Sequence, residues 1–193
     1  MKPIRISIIV LLALALVSSA GCAWQRVPEL PSYSVTDPIP LNVGVVLSNS
    51  AGSSTYGPAV INDWREARLF RSLTYPYRTG DPVDAVMELT IDGGWKGSGA
   101  GAGFVIGLTL GLAGTVMGPS MTGTHSALAV VTEPAGEVGR YSVEVTSKAT
   151  WGMAANTEQV SKKADALQVR KVALELAQQI RSDRRALLSR LVK

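Results

Sequence analysis

The chain has 193 residues with 19 basic and 15 acidic side chains, one histidine and one cysteine. This length suits one domain with a modest core, and the near balance of charge gives no sign of a nucleic-acid-binding surface. A single cysteine excludes an intramolecular disulfide. One histidine without clustered cysteines leaves little material for a metal site or a histidine-assisted nucleophile, so we expect neither a metal nor a cofactor, and no enzyme activity.

Residues 1–21 have the form of a secretory signal, with a basic start, an apolar run over 6–17 and small residues before Cys22. The SAGC sequence that ends at Cys22 resembles a bacterial lipobox, whose cysteine is acylated and becomes the new N-terminus; Ser19 stands where that pattern prefers an aliphatic residue. An ordinary cleavage site is the alternative. We predict a lipoprotein signal peptide with Cys22 as the lipidation site, and Ala23 after it favours sorting to the outer membrane.

The segment after the predicted anchor contains four prolines in eighteen residues, AWQRVPELPSYSVTDPIP. Proline fixes φ and removes a backbone donor, so residues 22–40 are predicted to form the lipid anchor and an extended tether. Cleavage of the signal would leave 17 basic and 15 acidic residues, a net charge of +2.

The first part of the predicted body contains two strands and a helix. Leu41–Ser48 and Val83–Ile91 have the apolar pattern of strands. Asn49–Gly57 is rich in Gly and Ser and is predicted to be a loop. Val60–Leu73 has apolar residues at helical spacing and is predicted to be a short amphipathic helix.

An uncharged stretch follows, GAGAGFVIGLTLGLAGTVMG from Gly99 to Gly118. It lacks the lysine or the glycine spacing of a phosphate-binding loop. Gly103, Gly107 and Gly111 fall on one face of a helix, as in helices that pack closely in lipid. Each glycine in an exposed helix costs about 0.5–1 kcal/mol relative to alanine, so a series in register implies a close packing partner. The predicted positions for membrane insertion and oligomer packing are Gly99, Gly103, Gly107, Gly111, Gly114 and Gly118.

A single membrane crossing would place the strands before and after this stretch on opposite sides of the bilayer. We therefore predict that residues 97–119 form a membrane-inserting hairpin that enters and returns, covered by other copies of the chain. Trp24 and Trp95, near the anchor and the hairpin, are predicted to lie at the headgroup boundary. A glycine-rich helix pair buried within the body is the main alternative. Strands shared between several chains would need an alternation that FVIGLTLGLA lacks.

The last part of the chain is predicted to contain two strands, Thr122–Thr132 and Tyr141–Trp151, joined by a turn over Glu133–Gly139. Thr157–Val192 has helical periodicity and a basic end, which suits a helix C-terminus. Together, 41–96 and 120–193 are expected to form one α+β domain, a small mixed sheet covered by two helices with the hairpin inserted between strands.

Three groups of polar residues are expected to be structural rather than functional. His125 is placed at the start of a strand. The acids Asp81, Asp84 and Glu88 are placed on a solvated strand face rather than in an acid–base pair. The basic end of the chain is interpreted as a solvated helix end rather than a lipid-binding surface; it comprises Arg181, Arg184, Arg185, Arg190 and Lys193.

The passage VDAVMELTIDGGWKGSGAGAG and the glycine series after it resemble the TraT-type outer-membrane lipoproteins in the order of parts. The DAVMELTI pattern within it also resembles the second strand of TolB-N-like and CsgG-like domains. TraT-type proteins carry two glycine-rich segments, whereas this chain has one clear series. The resemblance implies a ring-forming lipoprotein with a membrane-inserted crown, used in surface exclusion or envelope protection, and without catalytic residues.

The sequence thus predicts a non-enzymatic outer-membrane lipoprotein that oligomerises and serves envelope integrity, surface exclusion or an export assembly. Its expected partners are outer-membrane lipid, copies of itself and other envelope proteins, with the body in the periplasm or at the cell surface and no nucleic acid bound. The alternative is a periplasmic accessory or binding module for lipid or polysaccharide export that uses its sheet face.

Overall fold

The computed structural model describes residues 25–26, 37–97, 120–150 and 157–191. The chain divides into two compact units. The first unit comprises residues 1–27, 95–123 and 147–165, and the second comprises residues 28–94, 124–146 and 166–193.

The architecture is the predicted α+β type, with a mixed sheet and helices. The strands are β1 (Gln25–Arg26), β2 (Ile39–Leu47), β3 (Phe70–Thr74), β4 (Ala85–Gly97), β5 (Ser120–Glu133) and β6 (Gly136–Thr150). The helices are α1 (Ala51–Glu66), α2 (Thr157–Ser182) and α3 (Arg184–Leu191). The order in the sheet is β1-β6-β5-β4-β2-β3, with β2 parallel to both β3 and β4, and β1 antiparallel to β6.

The core lies on one face of the sheet. Alternate residues of β2, β4, β5 and β6 are buried, and they pack in one cluster with apolar residues of all three helices. Trp64 of α1 is fully buried, and its indole N–H donates to the carbonyl oxygen of Ala173 in α2 at 2.8 Å. Tyr141, Val143, Val145 and Ser147 share the buried face of β6, as their alternation predicts. The helices thus cover the apolar face of the sheet, as in other α+β domains.

Helix α1 begins nine residues before the predicted helix, inside the segment expected to be a loop. Ser50 caps it, because its hydroxyl accepts the backbone N–H of Ser53 at 3.0 Å. The buried hydroxyl of Ser53 accepts the backbone N–H of Ile91 in β4 at 2.8 Å. The Ser50 hydroxyl also lies 3.0 Å from the carbonyl oxygen of Ile91, to which it donates. A Gly/Ser segment has a weak helix propensity, and these hydrogen bonds to β4 stabilise it as the start of α1. The local sequence does not predict them.

The same helix ends earlier than predicted, so that Phe70–Thr74 is a strand and not the last turn of a helix. Arg68 has a φ of 51°, and its backbone N–H donates to the carbonyl oxygen of Arg65 at 3.1 Å. The backbone N–H of Leu69 donates to the carbonyl oxygen of Trp64 at 3.0 Å. This is the Schellman pattern of helix ends, which usually has glycine where Arg68 stands. Because that glycine is missing, no local signal marks the end of α1 in the sequence.

A short connection crosses over β2 to join β3 to β4. The two strands flank β2 at different heights: β3 pairs with residues 39–44 and β4 with residues 43–47. This offset allows a connection of ten residues, which includes a cis peptide bond between Tyr75 and Pro76. Its Tyr77 covers Gly44, where an added Cβ would lie 2.5 Å from Cδ2 of the Tyr77 ring. The connection that crosses β2 therefore requires a glycine at position 44.

The predicted C-terminal helix is interrupted at Asp183, which separates α2 from α3. The Asp183 carboxylate accepts the hydroxyl of Tyr141 at 2.9 Å, and its carbonyl oxygen accepts the backbone N–H of Leu187 at 2.9 Å. The pKa of Tyr141 is raised chiefly by burial and, to a smaller extent, by this hydrogen bond. The break aims the buried Leu187 of α3 at the core.

Candidate functional site

Most residues predicted to act at a membrane lie outside the described part of the chain. These are Cys22, Trp24, Gly99, Gly103, Gly107, Gly111, Gly114 and Gly118. Trp95 falls within β4, near its end. The structure therefore bears on the predicted membrane segment through the strands that lead into and out of it.

Strands β4 and β5 flank that segment, and they are neighbours in the sheet. The hydroxyl of Thr132 donates to the carbonyl oxygen of Val86 at 3.2 Å, near the start of β4. Further along β4, Gly93 lies beneath the ring of His125, nearer the start of β5. The two strands thus run in opposite directions, and the same register places Gly97 opposite Met121. Neighbouring strands lie about 5 Å apart, so the chain leaves β4 and enters β5 at the same end of the sheet.

The N-terminal strand meets the sheet at that end. Gln25 of β1 pairs with Ala149 of β6. The hydroxyls of Thr124 and Thr146 lie 3.4 Å apart across β5 and β6, and this register places Ala149 opposite Met121. Gln25, Ala149, Met121 and Gly97 thus form one row across four strands of the first unit. Strand β1 thus lies at the end of the sheet where the chain leaves β4 and enters β5.

The sheet face opposite the core carries a shallow depression of about 350 Å³ within the second unit. Its lining combines hydroxyls, two carboxylates and a small apolar floor: Thr90, Asp92, Ser126, Ala127, Leu128, Ser142, Val143 and Glu144. The lining residues fall in the rows that the strand register predicts, with Thr90, Leu128 and Ser142 side by side.

His125 is not at the start of a strand but well inside β5, and it is fully buried. Its ring meets that of Tyr56 of α1 edge-on, with centroids 5.2 Å apart and planes at 74°. Gly93 is the residue that makes room for it, because a Cβ there would collide with the imidazole. His125 therefore serves packing between α1 and the sheet.

The three acids that share one region of sequence are separated in the structure. Asp84 accepts the backbone N–H of Asn42 at 2.7 Å, and Asp81 accepts that of Arg78 at 2.8 Å. Glu88 is exposed on β4. The first two brace the connection that crosses β2. Among the described residues, no three His, Cys, Asp or Glu side chains are grouped closely enough to hold a metal ion.

The C-terminal arginines Arg184 and Arg190 bind groups elsewhere in the protein, and Arg181 acts electrostatically on Asp37. Arg184 pairs with Asp37 at 2.5 Å, and this hydrogen bond lowers the pKa of the Asp37 carboxyl. Arg190 donates to the carbonyl oxygen of Val138 at 2.6 Å. Arg185 is exposed, and Lys193 lies beyond the described residues. Arg184 and Arg190 thus fasten α3 to the chain before β2 and to β6.

Sequence reasoning missed the serine cluster formed by Ser48, Ser50 and Ser53. The hydroxyls of Ser48 and Ser50 each lie 2.8 Å from that of Ser53. The backbone N–H of Ser48 donates to the carbonyl oxygen of Leu89 at 3.0 Å. The only signal was a helix-capping serine followed by small residues, and this signal cannot show that the partner is β4.

Within the described ranges, no helix is both long enough and apolar enough to cross a bilayer. The predicted membrane segment, 97–119, lies almost entirely outside those ranges.

No protein-family model and no curated protein matches the chain. Similar solved structures include the rare lipoprotein B from Shewanella oneidensis, which has 14% identity and a TM-score of 0.43 over 79% of this chain and 99% of that one. Another is a minor lipoprotein from Acinetobacter baumannii, with 10% identity and a TM-score of 0.44 over 74% of this chain and 94% of that one. Neither is named as a TraT-type protein. At these identities and TM-scores, the similarity carries no argument about what this chain does.

Proposed function

We propose that the chain is a non-enzymatic outer-membrane lipoprotein, acylated at Cys22, that oligomerises and inserts residues 97–119 into the bilayer as a glycine-zipper hairpin. Its role would be in envelope integrity, surface exclusion or an export assembly. The observation that carries this proposal is the meeting of β1, β4 and β5 at one end of the sheet.

Two independent sequence signals converge on that end. The lipobox-like cysteine stands three residues before β1, and the uncharged glycine series joins β4 to β5. An acyl chain and an apolar insert that emerge from opposite ends of a domain could not enter one bilayer together. Their common origin is what a peripheral body with both an anchor and an inserted hairpin requires.

The antiparallel pairing of β4 and β5 also favours an insert that returns. About 20 residues lie between the two strands, enough for a single crossing of about 30 Å of hydrocarbon as a helix. A single crossing cannot rejoin a neighbouring strand on the same side. Two shorter arms expose glycine faces that need a partner in lipid, and copies of the same hairpin supply it.

Replacement of the predicted lipidation site tests the anchor. We expect Cys22→Ser to accumulate as an uncleaved precursor in the inner membrane, because thiol acylation commits this type of signal to processing. Fractionation and the mass of the N-terminal peptide measure this. Cys22→Ser that is cleaved and released as soluble protein would show that residues 1–21 are an ordinary signal.

Replacement of a zipper glycine tests the hairpin. Gly107→Leu adds bulk where small residues allow backbones to approach, so we expect a smaller oligomer in mild detergent with an unchanged protease-resistant body. Leu108→Ala is the matched control and should retain the oligomer. If Gly107→Leu unfolds the body, and the delipidated protein is extracted without detergent, the segment is a buried core helix and the hairpin proposal fails.

A second candidate function rests on the depression on the sheet face opposite the core. Its hydroxyls and the Asp92 and Glu144 carboxylates would suit a sugar or a polar lipid headgroup, as an accessory module for lipid or polysaccharide export requires. Such a module is expected to be a monomer. The particle mass in mild detergent distinguishes the two candidates. The accessory module should have the mass of one chain, whereas the oligomeric lipoprotein should have many times that mass.

A further inference from the structure

Strand β3 is the last strand at one edge of the sheet and belongs to the second unit. It runs parallel to β2, and no strand of the described ranges lies on its other side. Phe70, its first residue, is buried in the core and fixes the strand in place. An unpaired edge presents backbone N–H and carbonyl groups that a further strand can join. Within the described part of the chain, β3 is therefore an open edge.

Three arginines border this edge along its length. Arg71 is the second residue of β3 and is exposed. Arg68 is also exposed and stands two residues before the strand. Arg65 reaches β3 from the end of α1, and its Nη2 donates to the carbonyl oxygen of Leu73 at 3.4 Å. The five residues of β3 span about 16 Å, so three positive charges border one short strand. We call Arg65, Arg68 and Arg71 the arginine edge.

No acidic side chain of the described residues forms an ion pair with the arginine edge. Glu66, the acid nearest to it in sequence, accepts the side-chain amide of Asn62 at 2.9 Å. Residues 67–80 contain three arginines and no acid. Outside the described ranges the sequence contains one acid, Glu29. The chain therefore has no acidic segment of its own that could complement this edge.

Arg68 has a backbone conformation that is unfavourable for arginine. Its φ of 51° lies in the left-handed region, where helices usually end with glycine. A Cβ in this conformation crowds the neighbouring carbonyl oxygen, so glycine would stabilise the folded chain better at this position. Its exposed guanidinium forms no ion pair with a described residue that would offset this strain. A strained, charged residue beside an open edge points to a role in binding.

We infer that the open edge of β3 binds an extended acidic segment of another protein by strand addition. This inference goes beyond the proposed function, because it needs neither the acyl anchor nor the hairpin. The added strand forms backbone hydrogen bonds with β3, and its carboxylates form charge-assisted hydrogen bonds with the guanidinium groups. The same charges act against other occupants. A second copy of β3 would bring arginines together, and an uncharged strand would leave them unpaired.

Binding of labelled peptides to the full-length protein in a zwitterionic detergent tests this inference. The probe is a ten-residue peptide in which glutamate alternates with threonine, and its matched control has glutamine in place of glutamate. We expect the glutamate peptide to bind about tenfold more tightly, and high salt to reduce this difference. Methylation of its backbone nitrogens removes the donors and keeps the charge. The methylated peptide should therefore lose at least tenfold in affinity, because strand addition needs those donors.

Arg68→Gly is the sharpest variant, because it removes a charge and relieves the left-handed strain together. We expect this variant to raise the thermal midpoint by about 2 °C and to weaken binding of the glutamate peptide about threefold. Arg71→Gln should weaken binding about threefold as well. Arg185→Gln is the matched control, since it removes an exposed charge from α3, and it should leave the affinity unchanged.

Three results would overturn the inference: equal affinities for the glutamate and glutamine peptides, full affinity of the methylated peptide, or equal effects of Arg71→Gln and Arg185→Gln. Two further measurements identify other occupants. If Arg71→Gln alters the particle mass, or binding to nanodiscs of anionic phospholipid, and leaves peptide binding unchanged, the edge serves a second copy or the membrane and the inference fails. The peptide assay needs no bilayer, so its outcome is independent of the tests of Cys22 and Gly107.

Discussion

The β2–α1–β3 region differs from the end of the sheet formed by β1, β4, β5 and β6 in the interactions that its residues make. In the first region, buried apolar side chains and buried serine hydroxyls fix each element against another. At the sheet end, β1 pairs with β6, and β4 and β5 flank the uncharged glycine segment of the sequence. The first arrangement minimises the free energy of the folded chain alone. The second is the end of the sheet at which we propose that the chain meets the bilayer.

This contrast separates stability from function in the predictions. Changes to buried residues of the β2–α1–β3 region should lower the free energy of unfolding, whereas changes at Cys22 or Gly107 should alter membrane attachment or assembly with the body intact. A variant of a zipper glycine that unfolds the body would contradict this comparison.

The largest loss of stability is expected for Trp64→Ala. This substitution removes a fully buried indole and leaves the carbonyl oxygen of Ala173 without its 2.8 Å donor. We expect a loss of about 3–5 kcal/mol in the free energy of unfolding, measured by urea denaturation in detergent. Val46→Ala is the control, since Val46 is 39% exposed on β2, and should change the stability by less than about 0.5 kcal/mol. Equal losses would show that α1 does not pack as described.

A smaller effect is expected where the connection crosses β2. Gly44→Ala places a Cβ 2.5 Å from the Tyr77 ring, and we expect a loss of about 1–3 kcal/mol from the overpacking. Gly94→Ala, with open space around the new Cβ, should be close to neutral. The double variant Gly44→Ala with Tyr77→Ala should be less destabilised than the sum of the single variants. Strict additivity in thermal unfolding would argue against this crossing.

The smallest effect concerns Tyr141, which joins β6 to the break between α2 and α3. Tyr141→Phe removes the hydrogen bond to Asp183 and should cost about 1 kcal/mol. The pKa of Tyr141 is raised by its burial and by this bond, so its contribution is fully present below the unfolded value of about 10 and is lost as the pH rises towards the folded value. The free energy of unfolding, measured by urea denaturation at a series of alkaline pH values, should therefore fall less steeply with pH for Tyr141→Phe than for wild type. The same dependence on pH in both proteins would contradict a hydrogen bond from the Tyr141 hydroxyl to Asp183.

Several elements were predictable because their signals are local. The alternation of Tyr141, Val143 and Val145 identified β6 and its buried face. The helical period of the C-terminal segment identified α2, although Asp183 breaks it for a reason that lies in β6. Helix α1 was misplaced because its start depends on Ser53 bonding to Ile91, 38 residues away, and its end depends on a left-handed arginine.

The sequence by itself indicated the strands β2, β4, β5 and β6, the helix α2, the lipobox-like cysteine and the uncharged glycine segment, since composition and periodicity act over a few residues. Only the tertiary structure decided that β1 pairs with β6, that β4 and β5 are neighbours in the sheet, and that His125 is buried against Tyr56 of α1. These facts depend on strand order and register. Both are set by which apolar faces bury each other across long separations in sequence, and no local pattern encodes them.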